Sequence, residues 1–397
     1  EGEAILYAND SYTITQRRSG VILDEQGMDA LGTALNVFGG GFGENSEIWG
    51  STTINLNKGY VFQIFGGGEK GAVGKGVRDA AGKLTYSYDP RFSCHVNLKG
   101  VYPGTFRGDA NSSDGVVDNS DMAEAEFIYG GAFFAPIAGN TVINLGNGRI
   151  FNAFAGSCNA DILGHTETYV GRNTSNDNDL GFPWIRDHIY GGNDLGGQIL
   201  GEANFMHRVS ADLRKTVYNP KQKDSLDIIV ANASAYTEYI QGRVDHIFGG
   251  CYGDYDYTDE HYRDYTNEYG SSKAGFSKPR LDNAFVNFKP NSHNRNAVSR
   301  IYGAGQGHLK GYGVDSMQNR SYVLIDIPPQ SKSTYQNMDI FGAGANCGLG
   351  MGVSSKLLAD SASAVIDLVR GQVKNVFGGS FEEGVTRRAV VNVPVGA

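Results

Sequence analysis

The residue types best suited to chemistry gather in two short segments and one pair of histidines. Gly108 to Asp121 reads GDANSSDGVVDNSD and offers Asp109, Asn111, Asp114 and Asp121 as oxygen donors. Calcium takes six to eight oxygens from one tight loop, and a glycine such as Gly115 permits the sharp turn. The segment partly resembles the calcium loops of dockerin and EF-hand proteins. It departs from them by one extra residue before Asp114-Gly115 and by Asp121 standing where a glutamate is expected one place earlier. Calcium is therefore expected there only as an alternative to a plain polar surface loop, and no other cofactor is expected. The second segment, Cys251 to Tyr269, reads CYGDYDYTDEHYRDYTNEY. Tyr252, Asp254, Tyr255, Asp256, Tyr257, Asp259 and Tyr262 combine flat aromatic faces with hydroxyl donors and carboxylate acceptors. Tyrosine-rich loops make adaptable contacts at low entropy cost, and sugar rings stack on aromatic faces. These residues are candidate contacts for a glycan or a surface protein, against the alternative of a lid packed over the core.

His188 and His246 occur in matching contexts, Asp-His-Ile-Tyr and Asp-His-Ile-Phe. Repeated placement of this kind favours a stacked, structural role over catalysis. Catalytic constellations are missing from the pattern. There is no GxSxG elbow, no HExxH and no phosphate-binding glycine loop. A polysaccharide hydrolase needs two facing carboxylates. The chain has no adjacent Asp-Asp pair, and Gly307-His308-Leu309-Lys310 and Ser299-Arg300-Ile301 only approximate a polygalacturonase-like site.

The elements that position these residues are set by an internal repeat, which is the first thing to seek in a chain of this length. Nine times an aliphatic or small residue and an aromatic precede a glycine-rich step, at Phe38, Phe65, Tyr129, Phe154, Tyr190, Phe248, Tyr302, Phe341 and Phe377. A second pattern, aliphatic–Asn/Asp–apolar, accompanies it in Ile54-Asn55-Leu56, Val96-Asn97-Leu98, Ile143-Asn144-Leu145, Val286-Asn287-Phe288, Ile325-Asp326-Ile327 and Ile366-Asp367-Leu368. Alternation at period two is that of a half-buried strand. Glycine can take positive φ, so Phe-Gly-Gly and the basic-Gly steps Lys58-Gly59, Lys99-Gly100 and Arg370-Gly371 are both expected to turn corners. Tyr129 to Phe154 and Phe38 to Phe65 span 25 and 27 residues, the length of a solenoid coil. Longer intervals, such as Phe65 to Tyr129, imply an insertion or a coil whose signature has decayed.

The fold expected is all-β, a right-handed parallel β-helix (β-solenoid) with loop insertions. In it the nine aromatics form one ladder, and Asn55, Asn97, Asn144 and Asn287 form part of an amide ladder. Residues 1–35 are expected to be an N-terminal cap and 36–397 the solenoid, with insertions near 100–126, 171–186, 203–226 and 252–283. Leu23 to Leu35 and Glu202 to Lys215 are the best helix candidates. The scarcity of tryptophan and of Asn-Gly or Asp-Gly hairpin turns argues against a propeller or sandwich.

Composition narrows the partners. Glycine reaches 56 residues with no three-residue period, which excludes collagen. A hydrophobic share of 40% is enough for a core, so wholesale disorder is not expected. The net charge of −9 disfavours nucleic acid and anionic membrane as partners. No apolar run is long enough for a membrane helix. Cys94, Cys158, Cys251 and Cys347 are far apart and form no CxxC pair, so zinc or a dense disulfide framework is not expected. Cys158 and Cys251, each just after a glycine turn, are expected to be small buried apolar residues, or else to stack on nearby coils. The opening Glu1-Gly2-Glu3 reads as a product from which any export signal has been removed.

The recurrent VFGGG and IFGGG units with intervening TTINL and TVINL resemble the Gly-rich repeat cell-surface proteins of gut Bacteroidetes, over roughly residues 36 to 393. That resemblance implies a β-helix-type adhesin outside the cell. The expected function is a non-catalytic extracellular surface or adhesive module binding glycan or a partner protein through its insertions. The alternatives are a polysaccharide-degrading β-helix enzyme and a filament subunit that self-associates end to end.

Overall fold

A computed structural model describes residues 34–57, 59–100, 123–174, 176, 178–201, 234–254, 279–308, 316–349 and 363–393, together with the backbone of the short strands Ala4–Ala8, Gln16–Arg17 and Val21–Ile22. The described chain is all-β. Its helices are two short 3₁₀ turns, Pro90–Phe92 and Pro329–Thr334. The helix expected over Leu23 to Leu35 is corrected at its end, because Ala34 and Leu35 open the strand Ala34–Phe38. Residues 23–33 and the second helix candidate lie outside the described residues.

Two large sheets are formed, and every strand pairing in them is parallel. The chain visits the sheets alternately. Thr52–Leu56 joins the first sheet, then Gly59–Phe65 the second; Cys94–Leu98 returns to the first and Ala123–Tyr129 to the second. Successive passes lay their two strands side by side in register, so Asn55 pairs with Asn97 and Phe65 with Tyr129, with a shift between Ile325 and Asp326 late in the first sheet. Parallel neighbours need a crossover connection, and here the other sheet supplies it. A third, narrower line of contact runs through single parallel bridges from Ile48 through Val73, Ile137 and Ile162 to Ile199.

The core lies between the two large sheets. Ile54, Leu56, Val96 and Ile143 of the first face Val61, Ile64, Ile128 and Ile150 of the second, all at most 2% exposed. On four first-sheet strands a small hydroxyl residue sits beside the step that ends a pass. Thr52, Thr141, Thr166 and Ser321 donate their hydroxyls there to the carbonyls of Gly66, Ala155, Gly191 and Gly342. Buried hydroxyls are thereby satisfied by the same backbone turn in successive passes.

All nine repeat aromatics stack as one ladder, with successive ring centroids 4.4–5.0 Å apart and planes within 12°. Phe65 and Tyr129 are neighbours in it, so the long interval between them is an insertion within one pass and no rung is missing. The glycine after each aromatic has a different cause from the one expected. Positive φ occurs at Gly59 (90°) and Gly371 (116°), two of the three basic-Gly corners, and not at Gly100 or at the glycine following any ladder ring. A Cβ on Gly66 would lie 2.1 Å from the carbonyl oxygen of Gly130 in the next pass, and one on Gly303 would lie 2.3 Å from that of Gly342. Close stacking of backbone on backbone, and not left-handed geometry, demands glycine there.

The amide ladder holds for Asn55, Asn97 and Asn144. The Asn97 Nδ2 donates to Asn55 Oδ1 at 2.9 Å, and the Asn144 Nδ2 donates to Asn97 Oδ1 at 2.7 Å. Asn287 occupies the same row but is not contiguous, because Tyr169 and Glu238 stand between. Cys158 and Cys251 are buried and free, as expected of small apolar residues, and so are Cys94 and Cys347. Burial pushes the Cys94 and Cys251 thiols up to about 12. No helix among the described residues is long and apolar enough to cross a membrane.

Candidate functional site

Two surfaces point away from the shared core, and both carry chemically active side chains. On the first sheet the outward rows include Glu167, Tyr169, Tyr236 and Glu238, brought together by register. Glu167 accepts from Tyr169 and lies 2.9 Å from the His165 ring nitrogen. Glu238 accepts from Arg172 and, at 2.6 Å, from Tyr236, which in turn accepts from Asn287 Nδ2 at 2.9 Å. Burial, then the Glu238 carboxylate, push the Tyr236 hydroxyl well above its ordinary value. Further along, Tyr322 donates to Asp367, and burial followed by that carboxylate raises Tyr322 likewise. These carboxylates are committed to partners in a largely buried network that orders the sheet.

The second sheet presents a different strip. The strand that should run on from Pro183 is interrupted at Arg186 and Asp187 and resumes at His188, giving Pro183–Ile185 and His188–Tyr190. Trp184 pairs with Arg149 on one side and Arg243 on the other. Their guanidinium carbons lie 4.8 and 5.6 Å from the indole ring, so the half-buried indole is held between two cations. Arg149 is anchored by Glu124 at 3.1 Å, while Arg243 and Arg186 are exposed.

Four residues further along the same face, His188 pairs with His246, and His246 with Arg300. The two imidazoles stack with centroids 4.4 Å apart and planes 18° from parallel, as their matching sequence contexts imply. Asp187 and Asp245 precede them, with His188 Nδ1 3.2 Å from Asp187 Oδ1 and His246 Nε2 3.6 Å from Asp245 Oδ2. Burial, then the neighbouring His188, lower His246 to about 4 against the opposing pull of Asp245, so its ring is neutral near pH 7. Donor atoms of His188, Asp245 and His246 lie within 4.8 Å of one another, the one group of three or more His, Cys, Asp or Glu among the described residues close enough to hold a metal ion.

Of the tyrosine-rich segment, Tyr252 and Asp254 are described. The Tyr252 ring lies 5.1 Å from Tyr190 and 6.2 Å from Phe154, against the aromatic ladder. Asp254 accepts from His308 Nδ1 at 2.7 Å and from Gln306 Nε2 at 3.0 Å, and Gln306 accepts from Tyr190 at 2.8 Å. Both residues thus tie the start of the segment to the ladder. Tyr255, Asp256, Tyr257, Asp259 and Tyr262 lie outside the described residues, as do Asp109, Asn111, Asp114 and Asp121. Sequence reasoning missed Trp184 and its arginines. The signal was present only as a lone tryptophan in an expected insertion, because the pairing of Arg149 and Arg243 with it spans residues far apart in the chain.

Neither a protein-family model, nor a curated protein, nor a solved structure matches this chain.

Proposed function

We propose that the protein is a right-handed parallel β-helix that works as a non-catalytic extracellular binding module for glycans. Handedness follows from the twist of strands. A parallel crossover packs back onto a right-twisted strand in the right-handed sense almost without exception. The observation that carries the binding reading is the Trp184 strip. A half-buried indole fixed on a sheet between Arg149 and Arg243 sets guanidinium donors in a row beside an aromatic ring, which suits a sugar whose hydroxyl or carboxylate groups accept from them. The first-sheet carboxylates Glu167 and Glu238 already serve Tyr169, Arg172 and Tyr236, which supports a structural role for them over an acid–base pair. Placement at a bacterial cell surface rests on the resemblance of the VFGGG units. The tyrosine-rich segment after Tyr252 is a second contact surface in the same reading.

A glycan array on the purified chain, repeated with Trp184→Ala, tests this. The expected result is selective binding that falls about tenfold or more in the variant, the scale of an interface hot spot. Binding untouched by that change removes the site. Turnover of a polysaccharide abolished by one carboxylate substitution decides for an enzyme instead.

End-to-end self-association is a second reading, favoured by one observation. Phe377, the ladder ring that stacks on Phe341, is 45% exposed, and Val391 beside the neighbouring sheet edge is 39% exposed. Parallel edges of this kind accept another strand. Concentration-dependent polymers in sedimentation or electron microscopy are the expected sign.

A further inference from the structure

We propose that His188, His246 and Asp245 form a binding site for a first-row transition-metal ion of the zinc and copper class. The backbone supplies the first argument. His188 and His246 are direct partners on adjacent parallel strands, so their Cα positions are fixed by register and not by a mobile loop. Their donor atoms and that of Asp245 already lie within 4.8 Å of one another. Ligands of a tetrahedral ion with bonds of about 2.0–2.2 Å sit roughly 3.4 Å apart, so on binding the donor atoms draw closer and the stacked rings turn until their in-plane lone pairs converge.

The second argument is an unmet need. The Nδ1 of His188 is buried and has no aligned hydrogen bond, although Asp187 Oδ1 is 3.2 Å away. A buried polar nitrogen left in that state is a cost, which a bound cation or a small turn of Asp187 would relieve. Stacking of two imidazoles does not supply a partner for that nitrogen.

Charge and ligand type select the ion. Two imidazoles with a carboxylate suit zinc, copper or nickel, whereas calcium and magnesium prefer oxygen throughout. Asp187 adds a second negative charge beside the site. Arg300 follows His246 in the row and opposes a cation, but its guanidinium carbon lies 4.8 Å from the Phe381 ring and its Nη1 donates to the Tyr302 hydroxyl at 3.4 Å. Three protein ligands leave a position for water or for an oxygen of a bound molecule. The site shares the strip with Trp184 yet does not depend on glycan binding there.

Isothermal titration of the chelator-treated full chain with zinc and with copper(II) tests the proposal, with calcium as the control. One equivalent of zinc or copper should bind, calcium should not compete, and copper(II) should show nitrogen couplings from two imidazoles by electron paramagnetic resonance. His188→Asn, His246→Asn and Asp245→Asn should each weaken binding by about tenfold or more, since even the loss of outer partners of a metal site costs about 10–100-fold. Circular dichroism melting establishes that each variant is folded. Asp245, whose side chain is 46% exposed, provides a variant with little structural burden if a histidine change prevents folding. Absence of zinc and copper binding in the unaltered chain overturns the proposal, as does unchanged affinity in any folded variant of the three.

Discussion

The two outward faces use the same kinds of side chain to opposite ends. On the first sheet, Glu167, Tyr169, Tyr236 and Glu238 stand side by side on adjacent strands, and the two carboxylates are taken up by Tyr169, His165, Arg172 and Tyr236, with Asn287 donating to Tyr236. Tyr236 is 5% exposed and Tyr169 7%. On the second sheet, Trp184, Arg243, His188 and His246 are aligned just as strictly, but Arg243 is exposed and the Asp245 side chain beside the histidines is 46% exposed. Register creates both arrays, because parallel in-register strands bring equivalent positions side by side. What separates the two is how far the array is taken up by its own members. A network closed by its neighbours orders the sheet, and an array with exposed donors beside an aromatic ring has capacity left for a ligand.

That comparison is most sharply broken at the backbone beneath both faces. Gly66→Val places a Cβ where the carbonyl of Gly130 stands, and the backbone of the next pass cannot yield without disturbing the ladder. The expected loss is about 4 kcal/mol or more, an exceptional value for one substitution, read as a fall in the urea midpoint. Phe248→Ala removes a ladder ring stacked on Tyr190 and Tyr302 and is expected to cost about 3–5 kcal/mol.

Glu238→Ala tests the closed face. It removes the carboxylate that accepts from both Arg172 and Tyr236, and the expected destabilisation is about 3 kcal/mol, as for a broken buried pair. Thermal melting measures it, and glycan binding per folded molecule should be unchanged. The open face should behave in reverse. Arg243→Ala alters stability by about 0.5 kcal/mol or less, as surface changes do, while weakening any glycan held on Trp184. A large loss of stability from Arg243→Ala, or none from Glu238→Ala, would erase the distinction between the faces.

The smallest effect concerns Glu47, a self-satisfied group on the surface. Burial alone would raise its carboxyl. Hydrogen bonds from Trp49, Tyr86 and the Gly76 amide, with the charge on Arg78, outweigh that and lower it. A carboxyl lowered in the folded state contributes stability above its ordinary unfolded value, and that contribution is lost as pH falls through the folded one. The melting temperature of the unaltered chain should therefore drop more between pH 6 and about 3 than that of Glu47→Gln.

Much of the fold was legible because each pass repeats the same demands. Phe38 through Phe377 recur with glycine, and Asn55, Asn97 and Asn144 recur between apolar residues, since each side chain is satisfied chiefly by its counterpart in the next pass. Where the counterpart differs, legibility ends. Asn287 looks like another rung by its neighbours Val286 and Phe288, yet its row runs through Tyr169 and Glu238, and nothing local to either of those residues announces it. The role of the glycines was read correctly at Lys58-Gly59 and incorrectly after the aromatics, because φ is a local property and contact with the next pass is not.

The sequence by itself determined the strand period, the aromatic ladder and the burial of Cys158 and Cys251, all of which follow from short-range pattern and hydrophobicity. Tertiary structure alone decided which residues stand side by side across insertions of varying length. Arg149, Trp184 and Arg243 became one strip, and His188, Asp245 and His246 one cluster, only through the register of three passes. The physical reason is that hydrogen bonding between parallel strands fixes neighbours by alignment of the backbone, and loop length between strands leaves no trace in that alignment.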